Sequence, residues 1–290
     1  MKRVWHIKNS VFMATTVPLF AIVCSCSAKP ETTAEKDIQS ITAYKEIKVD
    51  TTMSLFASYE KPDCHLKLNF EVPTKATSKN TLEIVKTMIA SLTQDGAYAN
   101  GSNDLDAMVR NYTKSYIRNY LEEGNDAITN FGNDMRAAET WMSYEEQCEG
   151  KALYNDNGIF SYSVRTYTYT GGAHGNSNNC VASIDLQTRS NISLETLFNA
   201  AALEEVRLMI VDCLNDNYQL LDEEFDVTEN FYLSDKGVTF VYDPFEIAAY
   251  SYGEIAVTLG WERLRTLIAA SSPIIDNHLL LQADSIGGQL

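Results

Sequence analysis

The chain is short of positive charge. It carries 23 Lys and Arg against 39 Asp and Glu, a formal net charge of −16. Nucleic acid binding needs a basic footprint, so that class of function is not expected. Adsorption to anionic lipid by charge alone is disfavoured for the same reason. Histidine is scarce as well: His6, His65, His174 and His278 are the only four, and they lie far apart. No HExxH, GxSxG or Cys/His metal spacing is present, so the usual signatures of zinc hydrolases and serine hydrolases are missing. No fixed-period repeat and no low-complexity run occurs. The 290 residues, 45% hydrophobic and 21% charged, are enough for one large or two small globular domains.

The N-terminus has a separate character. Lys2, Arg3 and Lys8 precede an apolar run from Val11 to Val23, followed by Cys24-Ser25-Cys26. This is a secretory signal pattern, too short for a comfortable membrane span. Val23, Ser25 and Cys26 resemble a bacterial lipobox, which implies cleavage before Cys26 and lipid on its sulfur. Residues 1–25 are then the signal peptide and 26–40 a polar tether. Removing the signal leaves the remainder at about −19, which suits a basic partner or serves solubility alone. The expected location is the cell envelope, lipid-anchored on the periplasmic or cell-surface face. Cys64, Cys148, Cys180 and Cys213 remain, either as disulfides in three possible complete pairings or as buried thiols.

Beyond the tether, Tyr44–Phe56 and His65–Val72 alternate as strands, with Pro62-Asp63 between them and Pro73 as the end of the second. Ser78 or Asn80 caps a helix carrying Leu82, Val85, Met88, Ile89 and Leu92, with Gly96 as its stop. A loop at Asn100–Asn103 leads to a second helix, striped by Leu105, Met108, Val109, Tyr112, Tyr116 and Tyr120, which Gly124 ends. Thr140–Tyr154 reads as a strand, Asn157-Gly158 as a type I′ hairpin turn, and Phe160–Thr166 as the returning strand. A long glycine-bearing connection through Gly171–Gly175 and a polar loop leads to a third strand, Val181–Leu186. These three strands form an antiparallel meander. A helix over about residues 200–214, a hairpin of Phe231–Leu233 with Val238–Tyr242, a strand at Glu254–Leu259 and a short helix from Trp261 to Ile268 follow. The tail from Pro273 holds an apolar knot at Leu279–Leu281.

Three segments then stand out in order. They are Tyr169-Thr170-Gly171-Gly172-Ala173-His174, Ile184-Asp185-Leu186 with Leu197-Phe198, and Asp243-Pro244-Phe245-Glu246-Ile247-Ala248 closing with Tyr252-Gly253. In this order they resemble the extracellular domain of unknown function of the RsiV anti-sigma factor. The same domain accompanies the catalytic domain of the peptidoglycan deacetylase PdaC. The resemblance implies an α+β fold, an antiparallel β-sheet with packed α-helices in two subdomains, at 41–135 and 136–272, with a tail at 273–290. It also implies an envelope location and, in RsiV, lysozyme binding. Sigma-factor control and deacetylation do not carry over, because neither a cytoplasmic sigma-binding segment nor a deacetylase domain is read here.

The family-motif residues are Tyr169, Gly171, Gly172, Ala173, His174, Asp185, Pro244, Phe245, Glu246 and Gly253. His174 is read as a turn residue whose ring bonds nearby backbone. As a catalytic base it would need an acid such as Asp185 or Glu246 beside it in an open cleft. Asp243 accepts from turn backbone, and Pro244 with Phe245 folds the next segment onto the sheet. Alternation puts Tyr162 on the face opposite Tyr167 and Tyr169, so one set at most offers its rings to a ligand, Tyr250 and Tyr252 being further candidates. The expectation is a lipid-anchored binding module, not an enzyme, with no metal or cofactor. Its partner would be a lysozyme-like basic protein or a cell-wall glycan. The alternatives are an envelope glycan hydrolase using His174 and a purely structural accessory lipoprotein.

Overall fold

A computed structural model describes residues 39–56, 61–93, 104–131, 135–215, 217–222 and 224–275, all within one compact unit. The expected signal peptide, Cys26, most of the expected tether, Gly96, Asn100–Asn103 and Leu279–Leu281 lie outside the described residues.

The larger sheet has six strands in the order β1 (Ile41–Ser54), β2 (Asp63–Ala76), β3 (Tyr144–Asp156), β4 (Ile159–Thr170), β5 (Asn176–Asp185) and β6 (Ser190–Asn191). Every neighbouring pair is antiparallel except β2 and β3, which run parallel from Cys64/Tyr144 to Phe70/Gly150. The expected all-antiparallel sheet is therefore corrected at one joint. The cause is the connection. After β2 the chain crosses through α1 (Lys79–Leu92), α2 (Leu105–Phe131) and α3 (Met135–Met142), and a long crossover of this kind returns a strand parallel to the one it left. The same joint makes the sheet continuous across residue 135.

In β2, Leu66, Leu68, Phe70 and Val72 are buried and Lys67 is exposed, as alternation requires. Pro73 does not end the strand, which runs on to Ala76. Beyond Phe70 only β1 pairs with β2, and Pro73 sits beside a register shift at Ala43/Tyr44, where a missing N–H is tolerated. Asn157 and Gly158 take φ of 51° and 74°, the positive pair that a type I′ turn needs.

Helices α1 and α2 cover one face of this sheet. Ser78 caps α1 by accepting from Thr81 N at 3.1 Å, and Val85, Met88 and Ile89 face the strands. Asp104 Oδ1 accepts from Ala107 N at 3.1 Å at the start of α2, whose Leu105, Met108 and Val109 join the same core. Gly124 does not stop α2, which continues to Phe131. A Cβ at Gly124 would stand 2.0 Å from Leu55 Cδ1, so the glycine marks a close approach of the β1–β2 hairpin to the helix. The segment expected to open a strand at Thr140 belongs to α3, and β3 starts at Tyr144.

The smaller sheet, β7 (Phe231–Ser234), β8 (Gly237–Tyr242) and β9 (Ile255–Leu259), is antiparallel. It lies against the other face of β4 and β5. The join is polar: Ser161 Oγ donates to Leu233 O at 2.7 Å, Leu233 N donates to Ser183 Oγ at 2.8 Å, and Val181 N donates to Asn230 Oδ1 at 2.8 Å. Ser161, Ser163 and Ser183 are accordingly as buried as the apolar residues between them. Behind this sheet α4 (Leu194–Leu197), α5 (Leu203–Leu214) and α6 (Trp261–Leu264) complete a second core. It contains Val206, Ile210, Leu233, Phe240, Leu259, Trp261 and Ile274. A fully buried side chain of this size contributes about 1.5–3 kcal/mol. The whole is α+β. No helix among the described residues is long and apolar enough to cross a membrane.

Candidate recognition surface

The link between β4 and β5 is shorter than its composition suggests. It spans only Gly171–Gly175, because Asn176–Cys180 already pair as strand with β4. Gly171 and Gly172 take φ of 84° and 95°. At Gly171 an added Cβ would lie 2.6 Å from the Trp141 carbonyl oxygen, so the loop rests directly on the backbone at the end of α3. Tyr169 Oη donates to Gly172 O at 2.9 Å. Ala173 and His174 project outward. His174 Nδ1 lies 3.0 Å from Gly175 O. A carbonyl only accepts, so this bond places the proton on Nδ1. Tyr250 Oη donates to the same carbonyl at 3.0 Å, tying the loop to a distant segment.

That segment is Asp243–Gly253. Glu246 N donates to Asp243 O at 3.0 Å, and Asp243 N donates to Glu246 Oε2 at 2.8 Å. Asp243 Oδ1 accepts at 3.3 Å from Asn179 N on β5, so it braces the turn against the large sheet. Partial burial raises the pKa of both carboxyls above the ordinary range. An accepted backbone N–H opposes the shift in each case, and the charge of Glu254 adds to it at Asp243, that of Asp243 at Glu246. Ile247 and Ala248 are buried and anchor the segment. Phe245 itself stands outside the segment that Ile247 and Ala248 anchor. It takes a φ of 75° and its residue is 64% exposed. The reciprocal Asp243–Glu246 bonds close the turn and leave the ring on its outer side.

The two segments together present a row of rings. The centroids of His174 and Tyr250 are 5.2 Å apart, and those of Tyr250 and Phe245 are 6.1 Å apart. Trp141, 54% exposed, flanks the glycines at the other end, with Gly172 close to its ring edge. Sequence reasoning misses Trp141 because its segment reads as strand; a Trp in a short amphipathic helix is the available signal.

Asp185 does not join this surface. It sits at the opposite end of β5 from Asn176, about 30 Å away at the rise of an extended strand. There its carboxylate accepts from Gln187 N at 2.8 Å and from Thr188 Oγ1 at 2.7 Å, capping the turn into β6. Glu246 is on the surface but its carboxylate is occupied by Asp243 N. Gly253 closes the segment at a φ of 70°. Tyr162 is buried and donates to Glu71 O at 2.7 Å, while Tyr167 and Tyr169 lie on the other face, as alternation demands. Cys64, Cys148, Cys180 and Cys213 all stand as thiols. Cys148 and Cys180 lie on β3 and β5 with β4 between them. Among the described residues no group of three or more His, Cys, Asp or Glu side chains is placed to hold a metal ion.

A mixed sheet backed by helices, joined through a polar seam to a small antiparallel sheet, defines an α+β protein whose exposed aromatic row is carried on two clamped turns. Residues 78–177 match the family model described as Deacetylase PdaC, and residues 192–262 match that described as Protein of unknown function (DUF3298). The chain thus carries a PdaC-type region followed by a DUF3298 region. Its fold is similar to that of a DUF3298-family protein from Bacteroides fragilis, at 24% identity with a TM-score of 0.71, over 82% of this chain and 98% of that one. It is also similar to a DUF3298-family protein from Pseudomonas aeruginosa, at 16% identity with a TM-score of 0.52, over 80% and 97% of the two chains. No curated protein matches the chain. The glycine loop falls in the first matched region and Asp243–Gly253 in the second, so the aromatic row forms where the two regions meet.

Proposed function

We propose that this protein is a recognition module held at the cell envelope by lipid on Cys26, and that Trp141, His174, Tyr250 and Phe245 form its docking surface. The ligand is a lysozyme-like protein or a peptidoglycan glycan. Phe245 carries the reading. A bulky residue at positive φ costs on the order of 1–3 kcal/mol, and this one directs its ring to solvent. The turn bonds of Asp243 and Glu246 maintain that strain, and flat rings on a rigid support are efficient anchors for a partner. The surplus of acidic residues favours encounter with a basic protein. His174 serves this surface as a ring and a loop brace, not as a general base. Its Nδ1 is engaged by its own loop, and Asp185 lies at the far end of the strand. The module works without cofactor and takes no nucleic acid.

The test is calorimetry on the full chain in detergent, with lysozyme and with soluble peptidoglycan fragments, for wild type and Phe245→Ala. The expected result is binding of one ligand, weakened at least about tenfold by the substitution with no loss of thermal stability, as for a central anchor. Absence of binding to both ligands would remove the proposal.

A further inference from the structure

The small sheet covers the helix-free face of the large sheet over β4, β5 and the end of β3 near Tyr154. Where that face is open, side chains stand in register in a pair of rows. Lys67, Gln147 and Tyr167 form one row across β2, β3 and β4; Asn69, Glu149 and Arg165 form the next. They line a groove of about 310 Å³. This is at the low end of the roughly 300–1,000 Å³ typical of small-molecule sites. The parallel pairing of β2 with β3 sets Lys67 and Asn69 beside Gln147 and Glu149.

Its chemistry is specific. Asn is a poor residue for a central strand, yet Asn69 occupies one. Its Oδ1 is buried with no hydrogen-bond partner, a condition that costs about 1–3 kcal/mol and calls for an explanation. The charges in the groove nearly cancel. Arg165 pairs with Glu254 at 2.7 Å, and Glu149 lies 3.9 Å from Lys151, which leaves Lys67 beside two amides and a phenol ring. A phosphate would meet the Glu149 carboxylate, and a cation would meet Lys67 and Arg165. A neutral ligand rich in hydroxyl and amide groups meets neither penalty. One ring face, two planar amides and forked charged groups are what a sugar ring requires: an apolar face to stack and vicinal polar groups to bond. We infer that this groove is a glycan subsite for N-acetylhexosamine units. Tyr167 stacks on the ring, Asn69 bonds the acetamido group once it turns its carbonyl outward, and Gln147, whose Nε2 donates to Glu145 Oε1 at 2.6 Å, offers its amide carbonyl.

The inference rests on the recognition reading in one respect. Tyr167 packs directly under Gly175, where an added Cβ would lie 2.5 Å from its ring, so the groove adjoins the docking surface. The experiment titrates the full chain in detergent with a tetramer of β-1,4-linked N-acetylglucosamine, and with the matching glucose tetramer as control. Wild type is expected to bind the acetylated tetramer at least tenfold tighter than the control. Asn69→Leu and Tyr167→Ala weaken it at least tenfold, and Gln147→Ala, at an exposed position where folding is not at risk, at least threefold. Leu208→Ala, at an exposed position on α5 outside both surfaces, changes it less than twofold. If the tetramer binds but responds to Phe245→Ala and not to the groove variants, the subsite is wrong and the docking surface stands. If lysozyme binds and no sugar does, the subsite alone falls. If the sugar binds through Asn69 while Phe245 affects no ligand, the subsite stands and the docking surface falls.

Discussion

Gly171→Ala tests the loop on which the aromatic row is built. Two costs act at this position. The first is conformational: a φ of 84° in a residue bearing a Cβ costs about 1–2 kcal/mol. The second is steric. The new methyl group would stand 2.6 Å from the Trp141 carbonyl oxygen and 2.9 Å from its Cα and carbonyl carbon. Those are backbone atoms, so no side-chain rotation relieves the overlap, and the loop must lift from α3. Overpacking of this kind costs about 1–3 kcal/mol, giving about 2–5 kcal/mol in all. Gly158→Ala supplies the comparison. Its φ of 74° is similar, but an added Cβ would meet only the Gln187 side chain, at 3.4 Å and beyond. That variant should lose about 1–2 kcal/mol. Urea unfolding of wild type and both variants gives the difference as a shift in midpoint at constant slope. A Gly171→Ala loss equal to or below that of Gly158→Ala would refute the claim that the loop is pressed onto Trp141.

Two further outcomes follow from the same geometry. Gly124→Ala gains about 1 kcal/mol of helix propensity but places a methyl group 2.0 Å from Leu55 Cδ1, so thermal unfolding should show net destabilisation. In a Leu55→Ala background the same substitution should stabilise; additivity of the two changes would show that the contact does not matter. For Glu246, burial outweighs the N–H it accepts and raises its pKa, so the folded protein holds that proton more tightly than the unfolded chain. Wild-type stability from this group is therefore greatest in acid and declines as pH rises from about 4.3, the ordinary glutamate value, through the raised one. The stability of Glu246→Gln relative to wild type should rise across that window in urea melts, and a difference flat with pH would exclude the linkage.

Some of the site was legible before folding. The alternation around Tyr162 and Tyr167 assigned them to opposite faces, and the structure buries the first and leaves the second at the groove. The positive φ of Gly171 and the backbone contact of His174 were implied by a glycine pair beside a short polar side chain. Phe245 was not, because its orientation depends on the Glu246 carboxylate and the Asp243 carbonyl closing the turn and on β5 bracing the Asp243 carboxylate.

The local decisions were made within a few residues of chain. Ser78 caps its helix, Asn157-Gly158 turns its hairpin, and Leu66, Leu68, Phe70 and Val72 select a buried face, each through dihedral limits or a period that neighbours alone impose. The remainder depended on segments distant in sequence: the parallel joint of β2 with β3, the passage of α2 through Gly124, and the separation of Asp185 from His174. Such contacts form only when two faces are buried against each other, and no short window of sequence contains both partners.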